Sequence, residues 1–166
     1  MKRGTDIESL LQPLDRLPFQ AYLSDALQVP DILEWILKQV GRSEVFQTTF
    51  SISEEYLRRL VSIRESGMVS SLDIILDFKA TNKTVDLWSF ISNVADNAYL
   101  AQNHSKIILV KSESGRKIVV ITSQNLTRGN RNESAFIAES VEIYDSIRTQ
   151  IDNIVKFNAI SLNGIL

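Results

Sequence analysis

Apolar and polar positions alternate along this chain with two distinct periods, and the switches between them mark its elements. Between Asp31 and Val40 the residues Ile32, Leu33, Ile36, Leu37 and Val40 recur at the helical period, with Pro30 at the first turn and Gly41 just beyond the end. Val45–Phe50 is a short threonine-bearing run that reads as a strand. Ser51 and Glu54 have the spacing of a capping box and open a second helix through Tyr56, Leu57, Leu60 and Val61, stopping near Gly67. Leu72, Ile74, Leu76 and Phe78 alternate, which predicts a strand over 71–78. A third helix is expected over Val85–Leu100. Two apolar runs, 106–110 and 117–122, flank a turn containing Gly115 and predict a hairpin. A further strand over 133–138 and a final helix over 141–157, carrying Tyr144, Ile147, Ile151, Ile154 and Val155, complete the pattern. The order predicts an α/β fold, a mixed β-sheet flanked by helices. All three prolines, Pro13, Pro18 and Pro30, fall in the first thirty residues, so 1–30 is expected to be a helical arm on a single domain spanning 31–166.

Composition narrows the chemistry. The 166 residues are 44% hydrophobic and 23% charged, enough for a sizeable core and too apolar for disorder. Cysteine is absent and histidine occurs once, which excludes disulfides, thiolate chemistry and an intrachain multi-histidine zinc site. No metal or other cofactor is expected. No apolar run approaches the ~18 residues of a membrane helix, and Asp6, Glu8 and Asp15 interrupt any signal core; the expectation is a cytoplasmic protein with no membrane partner. The net charge of −2 is unevenly spread. Residues 101–135 carry Lys106, Lys111, Arg116, Lys117, Arg128 and Arg131 against Glu113 and Glu133, a local +4 that leaves −6 elsewhere. Charge of that kind suits a phosphate-facing surface, but on charge alone a solvated hairpin that happens to be basic is the favoured reading.

The candidate chemistry lies in the same stretch. His104 and Lys106 are two apart at the mouth of a predicted strand and so share a face. The hairpin returns the chain so that Asn125 can lie beside them, gathering an imidazole, an ammonium and a carboxamide into an anion pocket. This arrangement, His104-x-Lys106, strand, turn, strand, Ser123-x-Asn125-Leu126, resembles the catalytic motif of the phospholipase D superfamily. It is nearest to members, such as tyrosyl-DNA phosphodiesterases, that lack the usual aspartate five residues after the lysine, where this chain has Lys111. Thr122-Ser123 stands where the family has a small Gly-Ser pair.

The resemblance implies a metal-independent phosphodiesterase, in particular a nuclease working through a phosphohistidine. His104 would be nucleophile or general acid, Lys106 and Asn125 would hold the phosphate, and Glu133 would orient His104. Ser123, Arg128 and Arg131 would contact substrate. Family members use two such motifs, whereas one chain here holds one, so the resemblance implies a homodimer with a shared site. Nucleic acid is the expected substrate or ligand. The competing expectation is an inactive module of the same fold that binds nucleic acid or mediates assembly.

Overall fold

The computed structural model describes residues 7–80, 85–127 and 129–164. Eight strands form one sheet: β1 (Phe19–Ser24), β2 (Ser43–Thr49), β3 (Val69–Asp77), β4 (Asn97–Ala101), β5 (Ile107–Ser112), β6 (Lys117–Thr122), β7 (Glu133–Glu139) and β8 (Ile160–Ser161). Their spatial order is β1-β7-β6-β5-β2-β3-β4-β8. The central strands β2, β3 and β4 are parallel, while β5, β6, β7 and β1 continue from β2 as antiparallel neighbours. The expected mixed α/β sheet is therefore present.

Helices cover both faces. On one, α1 (Val29–Val40), α2 (Glu54–Glu65) and α3 (Trp88–Val94) bury Ile32, Leu33, Leu57, Leu60 and Ile91 against Val45, Leu72, Ile74, Ile108 and Val120. On the other, α4 (Val141–Asn158) sets Tyr144 and Ile151 on Phe46, Ile75, Leu109 and Val119. Because successive strand residues face opposite sides, Val45 and Phe46 feed different cores. At the β5–β6 turn, Gly115 has φ 90°, a conformation glycine adopts without steric cost.

Three sequence expectations are corrected. The helical arm over 1–30 does not hold for residues 19–24, which form the edge strand β1 on β7; Gln20 and Tyr22 are buried while Phe19, Ala21 and Leu23 are exposed, a period of two. The helix expected over 85–100 ends at Val94, and Asn97–Ala101 is a strand parallel to β3. There the Asp96 carboxylate accepts the Leu72 N–H at 2.7 Å, so β-pairing overrides the helical spacing of the apolar residues. Finally, Ser53 rather than Ser51 caps α2, its Oγ accepting the Tyr56 N–H at 3.3 Å. Ile52 is held extended by a bridge to Leu126, which delays the helix start.

Candidate active site

The parallel strands β2 and β3, together with the β5–β6 hairpin, converge at one end of the sheet. Thr49, Asp77, Lys106 and Thr122 mark that end. His104 and Lys106 precede β5 in an extended segment, and the buried side chain of Asn103 fixes its course. The Asn103 amide donates to the carbonyls of Thr49 (3.1 Å) and Ser105 (3.2 Å), and its backbone N–H donates to the Asp77 carboxylate at 2.7 Å. Ser105 Oγ donates to Asn103 Oδ1 at 2.5 Å and lies 2.7 Å from Thr48 Oγ1, which in turn accepts the Ile107 N–H. A polar network built on β2 and β3 thus holds both flanks of His104.

His104 itself is exposed. Its ring tilts against Phe50, centroids 5.2 Å apart at 53°, an aromatic neighbour at the end of β2 that the sequence reading did not single out. Lys106 Nζ donates to the His104 carbonyl at 2.8 Å and lies 3.4 Å from its Nδ1. An ammonium can only donate, so in this arrangement Nδ1 is the acceptor and a neutral ring carries its proton on Nε2.

The far side of the hairpin supplies the second group. The Thr122 N–H donates to the Lys106 carbonyl at 3.0 Å, tying the two strand ends together. Ser123 follows immediately, its Oγ donating to the Glu133 carboxylate and accepting the Ser134 N–H at 3.1 Å. Asn125, Thr127, Asn130, Arg131 and Glu133 line a depression of about 390 Å³. The side-chain oxygens of Asn125 and Gln124 are buried there and meet no donor among the described residues. This loop is held from the N-terminal start of α1: the Gln28 amide donates to the Gly129 carbonyl at 3.1 Å and accepts from the Gln124 amide at 2.9 Å. Leu126 is pinned by the Thr49 hydroxyl, which accepts its N–H at 3.1 Å.

The sequence-predicted residues therefore fall into two groups. His104 and Lys106 touch, as do Ser123 and Glu133, while Asn125 and Arg131 border the same depression as Glu133. Glu133 differs from expectation: among the described residues its hydrogen-bond partner is Ser123, and the imidazole contacts Lys106 and Phe50 instead. Strand pairing explains the difference, because Ser123 and Ser134 lie opposite one another across β6 and β7 and bring Glu133 to the serine. Arg128 lies outside the described residues.

The basic stretch is also resolved into two ends. Lys111 pairs with Glu44 (3.5 Å), Arg116 with Glu139 (2.7 Å) and Asp15 (2.8 Å), and Lys117 with Asp145 (2.5 Å). These three sit at the Gly115 end of the hairpin, remote from His104. Lys106 and Arg131 are the described cations of that stretch at the candidate site.

Neither a protein-family model nor a curated protein matches the sequence. Solved structures do. Nuc from Salmonella typhimurium, a phospholipase D family member, is 14% identical over 84% of this chain and 95% of its own, with a TM-score of 0.63. NucT from Helicobacter pylori is 16% identical over 84% of this chain and 98% of its own, at 0.59. TrmBL2, an archaeal chromatin protein with a novel mode of DNA binding, is 6% identical over 85% of this chain and 53% of its own, at 0.57. At such identities the likeness is one of architecture, and the chain has the fold of the phospholipase D superfamily.

Proposed function

We propose that this chain is one half of a metal-independent phosphodiesterase acting on nucleic acid, with the site completed by a second copy. The observation that carries the reading is His104 beside Lys106 at the mouth of β5, with the Ser123–Asn125 segment at the adjoining end of β6, on a fold of this superfamily. His104 Nε2 attacks phosphorus, forming a P–N bond as the P–O bond to the leaving group breaks. The His104 of the second copy gives its proton to the departing oxygen, then takes one from the water that cleaves the P–N bond. Lys106 and the Asn125 amide hold the non-bridging oxygens, and Arg131 steers the flanking phosphate.

In the resting contact between Lys106 and His104, Nδ1 accepts and the neutral ring carries its proton on Nε2. Both roles require Lys106 to leave Nδ1: the general acid is the imidazolium, protonated on both nitrogens, and the nucleophile is the neutral ring with its proton on Nδ1. A substrate phosphate draws the ammonium onto its own oxygens and frees Nδ1 to take the proton, which exposes the Nε2 lone pair for attack. Glu133 acts through Ser123, holding the hydroxyl that faces the substrate.

The test is incubation with end-labelled single- and double-stranded DNA in EDTA. The wild type is expected to give product and an acid-labile phosphohistidine, and His104→Ala to give neither while remaining folded. Retained hydrolysis in the variant overturns the assignment. Salt-sensitive binding without product from the wild type would instead make the chain a binding module, the reading that the likeness in fold to the chromatin protein TrmBL2 supports.

A further inference from the structure

Strand β3 brings one more cation to the active-site end of the sheet. It stops at Asp77, whose buried carboxylate holds two segments of chain at once: Oδ1 accepts the Lys79 N–H at 2.7 Å, and Oδ2 accepts the Asn103 N–H at 2.7 Å. Lys79 and the residue before His104 are therefore fixed on a single carboxyl group. Phe78 packs against the core, while Lys79 is exposed. Lys111, Arg116 and Lys117 are matched by carboxylates, whereas Lys79 makes no ion pair among the described residues. In the sequence Lys79 belongs to the acidic remainder outside 101–135, and only the pairing of β3 with β4 sets it beside His104.

We propose that Lys79 binds a phosphate flanking the one that reacts, so that a nucleic-acid strand crosses the end of the sheet from Arg131, past Lys106 and His104, to Lys79. The inference rests on the phosphodiesterase reading above and adds to it the path of the substrate and its need for more than one phosphate. Strand order supplies the path. The sheet runs β7, β6, β5, β2, β3, with Arg131 just before β7, Lys106 just before β5, Phe50 just after β2 and Lys79 just beyond β3. Two strand spacings, about 10 Å, separate the backbones that carry Lys106 and Lys79, a separation that suits neighbouring phosphates of one strand. Between them stands the half-buried ring of Phe50, against His104. A cation, an aromatic ring and a second cation in that order can follow a single strand, the ammonium groups on phosphates and the ring on a base. Because the rest of the chain is acidic, a polyanion is held only where cations line its path.

The test separates a diester with flanking phosphates from one without. Lys79→Gln keeps the backbone bond to Asp77. It is expected to lower kcat/KM for a single-stranded DNA oligonucleotide by about 3–10-fold, through KM, and to leave hydrolysis of bis(p-nitrophenyl) phosphate, which has no second phosphate, unchanged. Filter binding of the same oligonucleotide should show the slope of log affinity against log salt reduced by about 1. Lys79→Arg should restore both. Lys38→Gln, the same change of charge on an exposed residue in the last turn of α1, at the opposite end of the sheet, should alter neither. Equal losses on the two substrates, or no loss on the oligonucleotide, overturn the flanking contact and leave the His104 assignment standing. A wild type that does not cleave DNA overturns the nuclease reading, and the salt slope of the variant then decides Lys79 by itself. A wild type that also fails to bind the oligonucleotide overturns both.

Discussion

Asn103 shows how much the position of His104 depends on a neighbour that does no chemistry. Its amide spans from the Thr49 carbonyl to that of Ser105, so the chain on either side of the imidazole is anchored to β2. Asn103→Ala would leave the Thr49 and Ser105 carbonyls without that donor, at a cost of about 1–3 kcal/mol. A chemical denaturation curve should register that loss, together with a fall in kcat larger than any change in KM. On the other strand end, Ser123 and Glu133 form a single unit. Glu133→Gln and Ser123→Ala are each expected to lower kcat/KM by about 10–100-fold, and the double variant by little more than either alone. Additive losses would show that the carboxylate acts elsewhere.

Two links between elements hold the sheet to its helices, one through β2 and one at the end remote from the site. Tyr56 of α2 accepts from the buried Gln47 amide of β2 at 2.7 Å, and burial pushes the phenol pKa well above its usual value, so the hydroxyl stays protonated. Tyr56→Phe removes the acceptor and should destabilise the protein by about 1–3 kcal/mol with hydrolysis per folded molecule unchanged. Asp96 joins β4 to β3 and α2 through Leu72 and Arg64. The Arg64 guanidinium holds the Asp96 carboxyl below its ordinary 3.8. A lowered carboxylate pKa stabilises the fold above the unfolded value, and that contribution disappears as pH falls through the folded one. Wild type and Asp96→Asn should therefore differ in melting temperature at neutral pH and converge in acid below pH 3.8. A constant difference across that range would show that the charge of Asp96 is not what matters.

For the whole molecule, the tertiary arrangement of charge changes what the composition suggested. The +4 stretch is not one phosphate-facing surface, because Lys111, Arg116 and Lys117 are ion-paired at the remote end of the hairpin. DNA binding should be insensitive to Lys111→Gln or Lys117→Gln. Arg131→Gln is expected to weaken it across sequences and to reduce the slope of log affinity against log salt by about 1. Equal effects at all three positions, measured by filter binding over a salt series, would restore the broad basic surface.

The amino-acid sequence alone determined what acts over a few residues: the helices with clear apolar stripes, the hairpin at Gly115, and the pairing of His104 with Lys106 two positions away. Period and spacing carry that information directly, since the groups concerned are neighbours in any extended or helical chain. The family resemblance added the fold, and the roles proposed for the site residues. What only the tertiary structure decided is the set of partners drawn from distant strands. Gln28 reaches the loop at Gly129, Phe50 lies against His104, Glu133 meets Ser123, and Asn97–Ala101 becomes a strand beside β3. Strand order selects these contacts, because an amphipathic segment with Ala98 and Leu100 suits helix or strand until a neighbouring edge offers backbone partners.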